Sequence, residues 1–467
     1  MKISKTVVKR FMAFLLAVIV GVVPSISANA APDQQRVVSP VTQLLTKAYV
    51  SPLSGQDQLG AKSVSALAEY QIRTYIQSEK GEEDVYCSRE MEWIPLYDIG
   101  GMQFAFIVPL LNSSKEEIGY IIVGSIEEGY SHYMLEWDTS LLRMIRQYLK
   151  NNQKAKTVYY PPLDFAFRLE SSDGVSIMAL DQQRGISCDV TKSIIQNSKR
   201  YYDSYSSILK NGDRFAIRNQ IQVVESSKSQ TDCDPHSIVG LSSESKTQSK
   251  TTKEDIRIKK EYSSPPQFIS IVANSTLPYG GDQNWYSSDI LKKRGCGPVA
   301  AANILAYMSL QKSEYSKLYT ETSYSQANFT QFMNKLYLHL QPGLVGTPDK
   351  NQWIEKVKSW ASSKGITLTA HSYPATYDKY SAAYAIKQGL KNDHPVASLN
   401  LNYGFSMDGE TYGWHWVTIT KYFQSVNDNR WIAVSSWGER KSLNWDVYWA
   451  GNHDHLLASD SGYIYFD

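Results

Sequence analysis

A cysteine set between two glycines and followed by proline, Gly295-Cys296-Gly297-Pro298, has the makings of a nucleophile. Gly297 permits a tight turn beside the sulfur, and Pro298 suits a first helical turn, where a missing N–H leaves no bond unmade. Residues 299–310 contain no further breaker, so the spacing predicts a helix that begins at the thiol. Unpaired N–H groups and the positive end of the helix dipole at such a start favour thiolate over thiol. The plain alternative is a small buried cysteine in a glycine turn. A cysteine nucleophile also needs a base, and the base needs a group to orient it. His415, in Gly413-Trp414-His415-Trp416-Val417, opens an apolar run that reads as a strand, a place that holds a side chain rigidly with its tip open. His394, before Pro395, reads as a loop residue, and His453 and His455 around Asp454 make only a poor metal-like cluster. The next strand ends Ser435-Ser436-Trp437-Gly438, where the orienting group would sit and where Trp437 could shield the bond from water.

The elements that must position these residues come in a definite order. From residue 266 the chain reads as helices over 299–310, 349–363 and 379–392, then strands over 395–403, 415–423, 430–437 and 462–466. Helices first and strands second is an α+β layout. Nine of the eleven tryptophans lie here, which fits core and rim packing better than a sugar- or peptide-binding cleft. Residues 31–224 read as a separate α+β domain with helices over 64–77 and 139–150 and strands over 92–97, 102–109, 118–125, 165–169 and 176–180. Its first part, 31–60, reads as a loosely held lead-in. His132 is its one histidine, and no catalytic constellation is legible in it. Between the two, residues 225–265 are dominated by Ser, Lys, Thr, Glu and Asp. Too little apolar surface is on offer there to offset ordering entropy, so a flexible, protease-accessible linker is expected.

Residues 1–30 have the basic start, short apolar core and Ala28-Asn29-Ala30 ending of a secretory signal. The core is short for a membrane span, so an exported, extracellular, monomeric protein without a membrane anchor is expected. The 467 residues carry +2, but four positive charges belong to that segment, and without it the net charge is −2. No basic patch remains that would point to nucleic acid. At 42% apolar and 20% charged residues the composition is globular. Four cysteines are too few for disulfides to carry the fold. At most one pair among Cys87, Cys188 and Cys233 is expected, and the sequence does not choose it. No CxxC occurs, so neither a structural zinc nor any other cofactor is expected.

Cysteine in Gly-Cys-Gly-Pro at a helix start, histidine in His-Trp-Val at a strand start, then Ser-Ser-Trp-Gly resembles the papain-like cysteine peptidases, most of all their secreted bacterial C39-like branch. The resemblance covers roughly residues 267–467. It implies a helical lobe and an antiparallel sheet lobe with a cleft between them. It further implies a thiolate–imidazolium pair of Cys296 and His415, an acyl-enzyme, and a protein, peptide or cell-wall peptide substrate. The family carries Asn or Asp where this chain has Ser435, so Ser435 is the matching orienting residue, with Asn444 or Asp446 as substitutes. The family's oxyanion glutamine lies six residues before the cysteine, where this chain has Ile290. Gln283 is the expected replacement, joining the Cys296 N–H, and Gln267 is a weaker one. Residues 31–224 resemble the prodomains of enzymes such as streptopain, mainly through Gly119-Tyr120-Ile121-Ile122-Val123. That implies a cover over the cleft, removed by cleavage in the linker, against the alternative of an independent binding or attachment domain. Two other functions use the same residues: a peptidoglycan cross-bridge amidase, and a catalytically silent module that binds peptide or glycan.

Overall fold

In the computed structural model, the alternating apolar runs of the N-terminal half form a continuous sheet, because each strand buries one or both faces. The residues described are 49–80, 84–161, 164–172, 174–181, 186–228, 252–271, 279–343, 346–347, 349–402, 406–407, 410–411, 415–455 and 457–467. The expected signal, Cys233, and Gly413 and Trp414 beside the histidine lie outside them, as does 229–251 of the expected linker.

The first helix, α1 (Ala61–Gln71), continues through a π-helical turn at Ile72–Ile76 to Lys80. Strands β1 (Ile94–Tyr97), β2 (Gln103–Leu111), β3 (Glu117–Gly124) and β4 (His132–Glu136) follow. Helix α2 (Ser140–Asn151) leads to β5 (Lys156–Tyr160), β6 (Asp164–Ser171), β7 (Gly174–Asp181) and β8 (Ile186–Asp189). Two helices, α3 (Ser198–Asn211) and α4 (Arg214–Lys228), close this half. The lead-in is packed from Tyr49 onward: Leu53 is buried, and Ser51 donates to the buried Asp98.

The expected linker ends in structure. Residues Thr252–Arg257 form β9, paired antiparallel with the strand that carries His415. Helix α5 (Asp289–Arg294) precedes α6 (Cys296–Gln311), and α7 (Gln326–Leu340) and α8 (Lys350–Ser362) pack beside it. Then come β10 (Ala370–Pro374), α9 (Lys379–Lys391), β11 (Val396–Asn400), β12 (His415–Ser425), β13 (Arg430–Ser436), β14 (Glu439–Asn444), α10 (Trp445–His453) and β15 (Gly462–Phe466). Helix α6 is apolar all round and buried along 296–308, as a central helix must be.

Two α+β regions are present as expected, but they are not separate bodies. One sheet runs β10-β15-β11-β12-β13-β14-β4-β3-β2-β1-β5-β6-β7-β8, antiparallel except for β1 beside β5. The seam is β14 against β4, with Ser442 opposite Leu135 and Leu443 opposite Met134. The described residues all fall in one compact unit, Pro40–Asp467. Each half supplies the strand that covers the other's open edge, which removes two rows of unpaired backbone groups. The tryptophans of the C-terminal half pack as core: Trp353, Trp360, Trp416, Trp431, Trp445 and Trp449 are buried. Their indole N–H groups find acceptors, as in Trp353 to the Gly297 carbonyl (3.0 Å) and Trp416 to the Thr347 carbonyl (2.9 Å).

Candidate active site

Cys296 is the first residue of α6, as the spacing predicts, and is 8% exposed. Gly297 is required beside it, since a Cβ there would lie 2.7 Å from Thr347 Oγ1. Trp353, which bonds the Gly297 carbonyl, also stacks on Trp416 at 4.4 Å, so the helix start is tied to the strand after His415. Burial pushes the thiol up, and the backbone N–H groups of Trp416, Gly297 and Cys296 itself hold it back part of the way. The helix N-terminus thus acts on the sulfur in the expected sense, but in this closed site it is outweighed by the loss of solvent.

His415 opens β12, opposite Asn400 of β11, and is likewise buried. Its Nε2 lies 2.8 Å from the Ser436 hydroxyl. Its ring stacks on Trp437 at 4.2 Å and 7°. Trp437 and Gly438 form the two-residue turn between β13 and β14, and both have positive φ (49° and 72°). That backbone costs a bulky residue about 1–2 kcal/mol, and here the strained turn lays the indole over the imidazole. Burial pushes His415 down to about 3. Burial thus works against the charged form of both groups in this site.

The residue on the imidazole is Ser436, not Ser435. Thr418 of β12 stands opposite Ser435 of β13. His415, three residues before Thr418, points to the other face, which is the face Ser436 shares. Ser435 has a different task. Its hydroxyl donates to the Tyr279 carbonyl (2.6 Å) and accepts from Asn303 Nδ2 (3.3 Å), while Asn303 Oδ1 accepts from the Gly281 N–H (2.8 Å). These bonds fix the segment that carries Gln283. Gly280 sits between them at φ +88°, where a Cβ would meet Ser435 Oγ at 2.6 Å.

Asn444 and Asp446 do not reach the histidine. Asn444 pairs with Trp431, five residues along β13 from Ser436, or about 16 Å on an extended strand. Asn444 caps α10 through the N–H groups of Asp446 and Val447, and Asp446 binds Arg430.

Gln283 opens a short 3-10 turn capped by Asp282. It lines one small cavity with Cys296, Asn303, His415, Ser435, Ser436 and Trp437. Neither Gln267 nor Ile290 lines it, and Ile290 is 60% exposed on α5. Asn303, two turns along α6 from Cys296, was not singled out from sequence. Its spacing alone marks it as the polar position of an otherwise apolar helix.

His453 pairs with Asp454 (2.8 Å), but Asp454 is taken up by Lys210 (3.2 Å) and Asn211 (3.0 Å), so the cluster is a salt bridge between halves and not a metal centre. Among the described residues, none before Gly281 lines the Cys296 cavity. No family model matches the chain, and no curated protein is significantly similar to it.

Proposed function

We propose that the chain is an exported cysteine peptidase of papain-like type, with residues 266–467 supplying the helical and sheet lobes. The observation that carries this is the convergence of Cys296 at a helix start, an imidazole held by Ser436 and Trp437, and Gln283 on one cavity. With Nε2–H donating to Ser436 Oγ, Nδ1 keeps the lone pair that a base needs. On substrate entry, Nδ1 takes the thiol proton as Sγ attacks a peptide carbonyl carbon. The Cys296 N–H and the Gln283 amide hold the oxyanion. The intermediate collapses to a thioester as the imidazolium gives its proton to the leaving amine. Water, deprotonated by Nδ1, then frees the acid and restores the thiol. Because burial works against both charged forms, proton transfer would accompany attack instead of preceding it.

The substrate is a protein, a peptide or the peptide part of a cell wall. Two features weigh against a silent binding module. The orienting position holds a hydroxyl in contact with the ring, and the tryptophans that would form a binding platform are mostly buried.

Hydrolysis of casein and of purified cell walls, by the native chain, Cys296→Ala and His415→Ala, tests the reading. We expect native hydrolysis that falls by 10² or more in either variant. Clearing of cell walls without casein hydrolysis would favour the cross-bridge amidase. Casein hydrolysis that persists in a folded Cys296→Ala chain would remove Cys296 from the chemistry.

A further inference from the structure

We propose that residues 49–228 are a permanent partner of the half that begins at Thr252, and that they grip the strands carrying His415 and Ser436. The two polypeptides would then stay assembled, with the site intact, once the chain between them is cut. The catalytic arm of this proposal rests on the peptidase reading, while the assembly arm does not.

The argument starts from what the contact surface contains. Lys421 of β12 is fully buried, and its ammonium bonds the carboxylate of Glu79 at the end of the first helical stretch. The same carboxylate pairs with Arg440 of β14, which also holds the fully buried Glu261 at 2.9 Å. Burial pushes the Glu79 carboxyl up, and Arg440 and Lys421 more than reverse this, holding it at about 2. A second buried pair joins Lys441 to Glu136 of β4 at 3.0 Å. Parting the halves would break the Glu79 pairs with Lys421 and Arg440 and the Glu136 pair with Lys441, leaving these cations only Asp255, Glu261 and Glu439 beside them.

Apolar and neutral contacts follow the same line. Tyr75 stacks on Trp431 at 4.4 Å, meets the edge of Phe423 at 5.3 Å, and bonds Ser442 Oγ at 2.9 Å. Gln71 Oε1 accepts from Asn429 (2.7 Å) and Trp431 Nε1 (3.3 Å). The β4–β14 pairing completes the seam.

The contacts fall on the strands of the site. β12 begins with His415 and reaches Lys421 and Phe423 six and eight residues later. β13 carries Trp431 and ends at Ser436. β12 is bulged between Ile419 and Lys421, where Thr420 Oγ1 donates to Glu261 and Lys421 turns to Glu79. The far ends of both strands are therefore clamped by the N-terminal half. A cover that must leave before the enzyme works would lie on the cavity, and among the described residues none of those lining it belongs to 49–228.

The test uses the full chain with a site-specific protease sequence inserted between Lys246 and Thr247. After complete cutting, both fragments are expected to co-elute with uncut protein on size exclusion, in ordinary buffer and in 1 M NaCl. Casein hydrolysis should stay within twofold of the uncut chain. Glu79→Gln in the cut protein should weaken assembly 100-fold or more. Where that variant does not fold, Tyr75→Phe, which loses only the bond to Ser442, should weaken it by about 10-fold. Separate elution of the native fragments, or a tenfold or greater rise in hydrolysis on cutting, would overturn the proposal. If neither form hydrolyses casein, the peptidase reading fails while co-elution still decides the assembly.

Discussion

Replacing Ser436 by alanine removes the side-chain bond between Ser436 and the imidazole. In the resting site that bond joins neutral partners at 2.8 Å, worth about 0.5–1.5 kcal/mol. During attack the imidazole becomes charged, and a bond to a charged group is worth about 1.5–3 kcal/mol. Only the difference slows the reaction. That difference is about 1–1.5 kcal/mol, so kcat/KM should fall roughly 5- to 15-fold. The stack on Trp437 remains in the variant and should limit further loss of orientation. Ser436→Thr, which restores a hydroxyl, should recover most of the rate. Ser435→Ala should behave otherwise: it leaves a buried Tyr279 carbonyl and Asn303 amide short of a partner, which costs about 1–3 kcal/mol of stability. The assay is kcat/KM on a fluorogenic peptide across pH, with thermal unfolding of each variant alongside. A Ser436→Ala enzyme within twofold of native, beside a stable Ser435→Ala enzyme that has lost most of its rate, would refute the assignment.

Buried histidines contribute to the response to acid. Burial holds both His132, stacked on Trp431 at 4.1 Å, and His415 at about 3. Unfolded histidine titrates near 6.5, so below that pH the unfolded chain binds protons that the folded chain refuses, and stability falls between about 6.5 and 3. Urea midpoints from pH 7 to 4 should fall less steeply in His132→Asn, and a slope identical to native would contradict the burial argument. Gly280→Ala should cost about 2–3 kcal/mol, from left-handed backbone and from crowding of Ser435 and Asn303. Gly55→Ala, at φ +80° with open space around it, should cost only about 1 kcal/mol. Equal unfolding temperatures for the two variants would mean that the Ser435 contact is slack.

Local sequence was enough wherever a neighbour within a few residues sets the conformation. Gly-Cys-Gly-Pro and the unbroken run behind it placed Cys296 at a helix start, and the apolar run from His415 placed the histidine at a strand start. Periodicity located the strands around residues 103–111 and 117–124 and the helices near 350 and 379 for the same reason. The polar composition of 225–265 did not reveal β9, because Thr252–Arg257 is held by pairing with β12 and not by apolar residues of its own.

What only the tertiary structure decided are relations between distant segments. Which of two adjacent serines faces the imidazole depends on strand register, and a shift of one residue would exchange them. The burial that works against charge on the thiol and the imidazole is a property of the packed site, and no short stretch encodes it. The union of the two halves likewise rests on one strand pairing and on buried charges more than 300 residues apart in the chain, Glu79 with Lys421 and Glu136 with Lys441. The sequence determined the chemical groups and the elements that present them. Register and burial, which arise only when the whole chain packs, determined which of those groups meet.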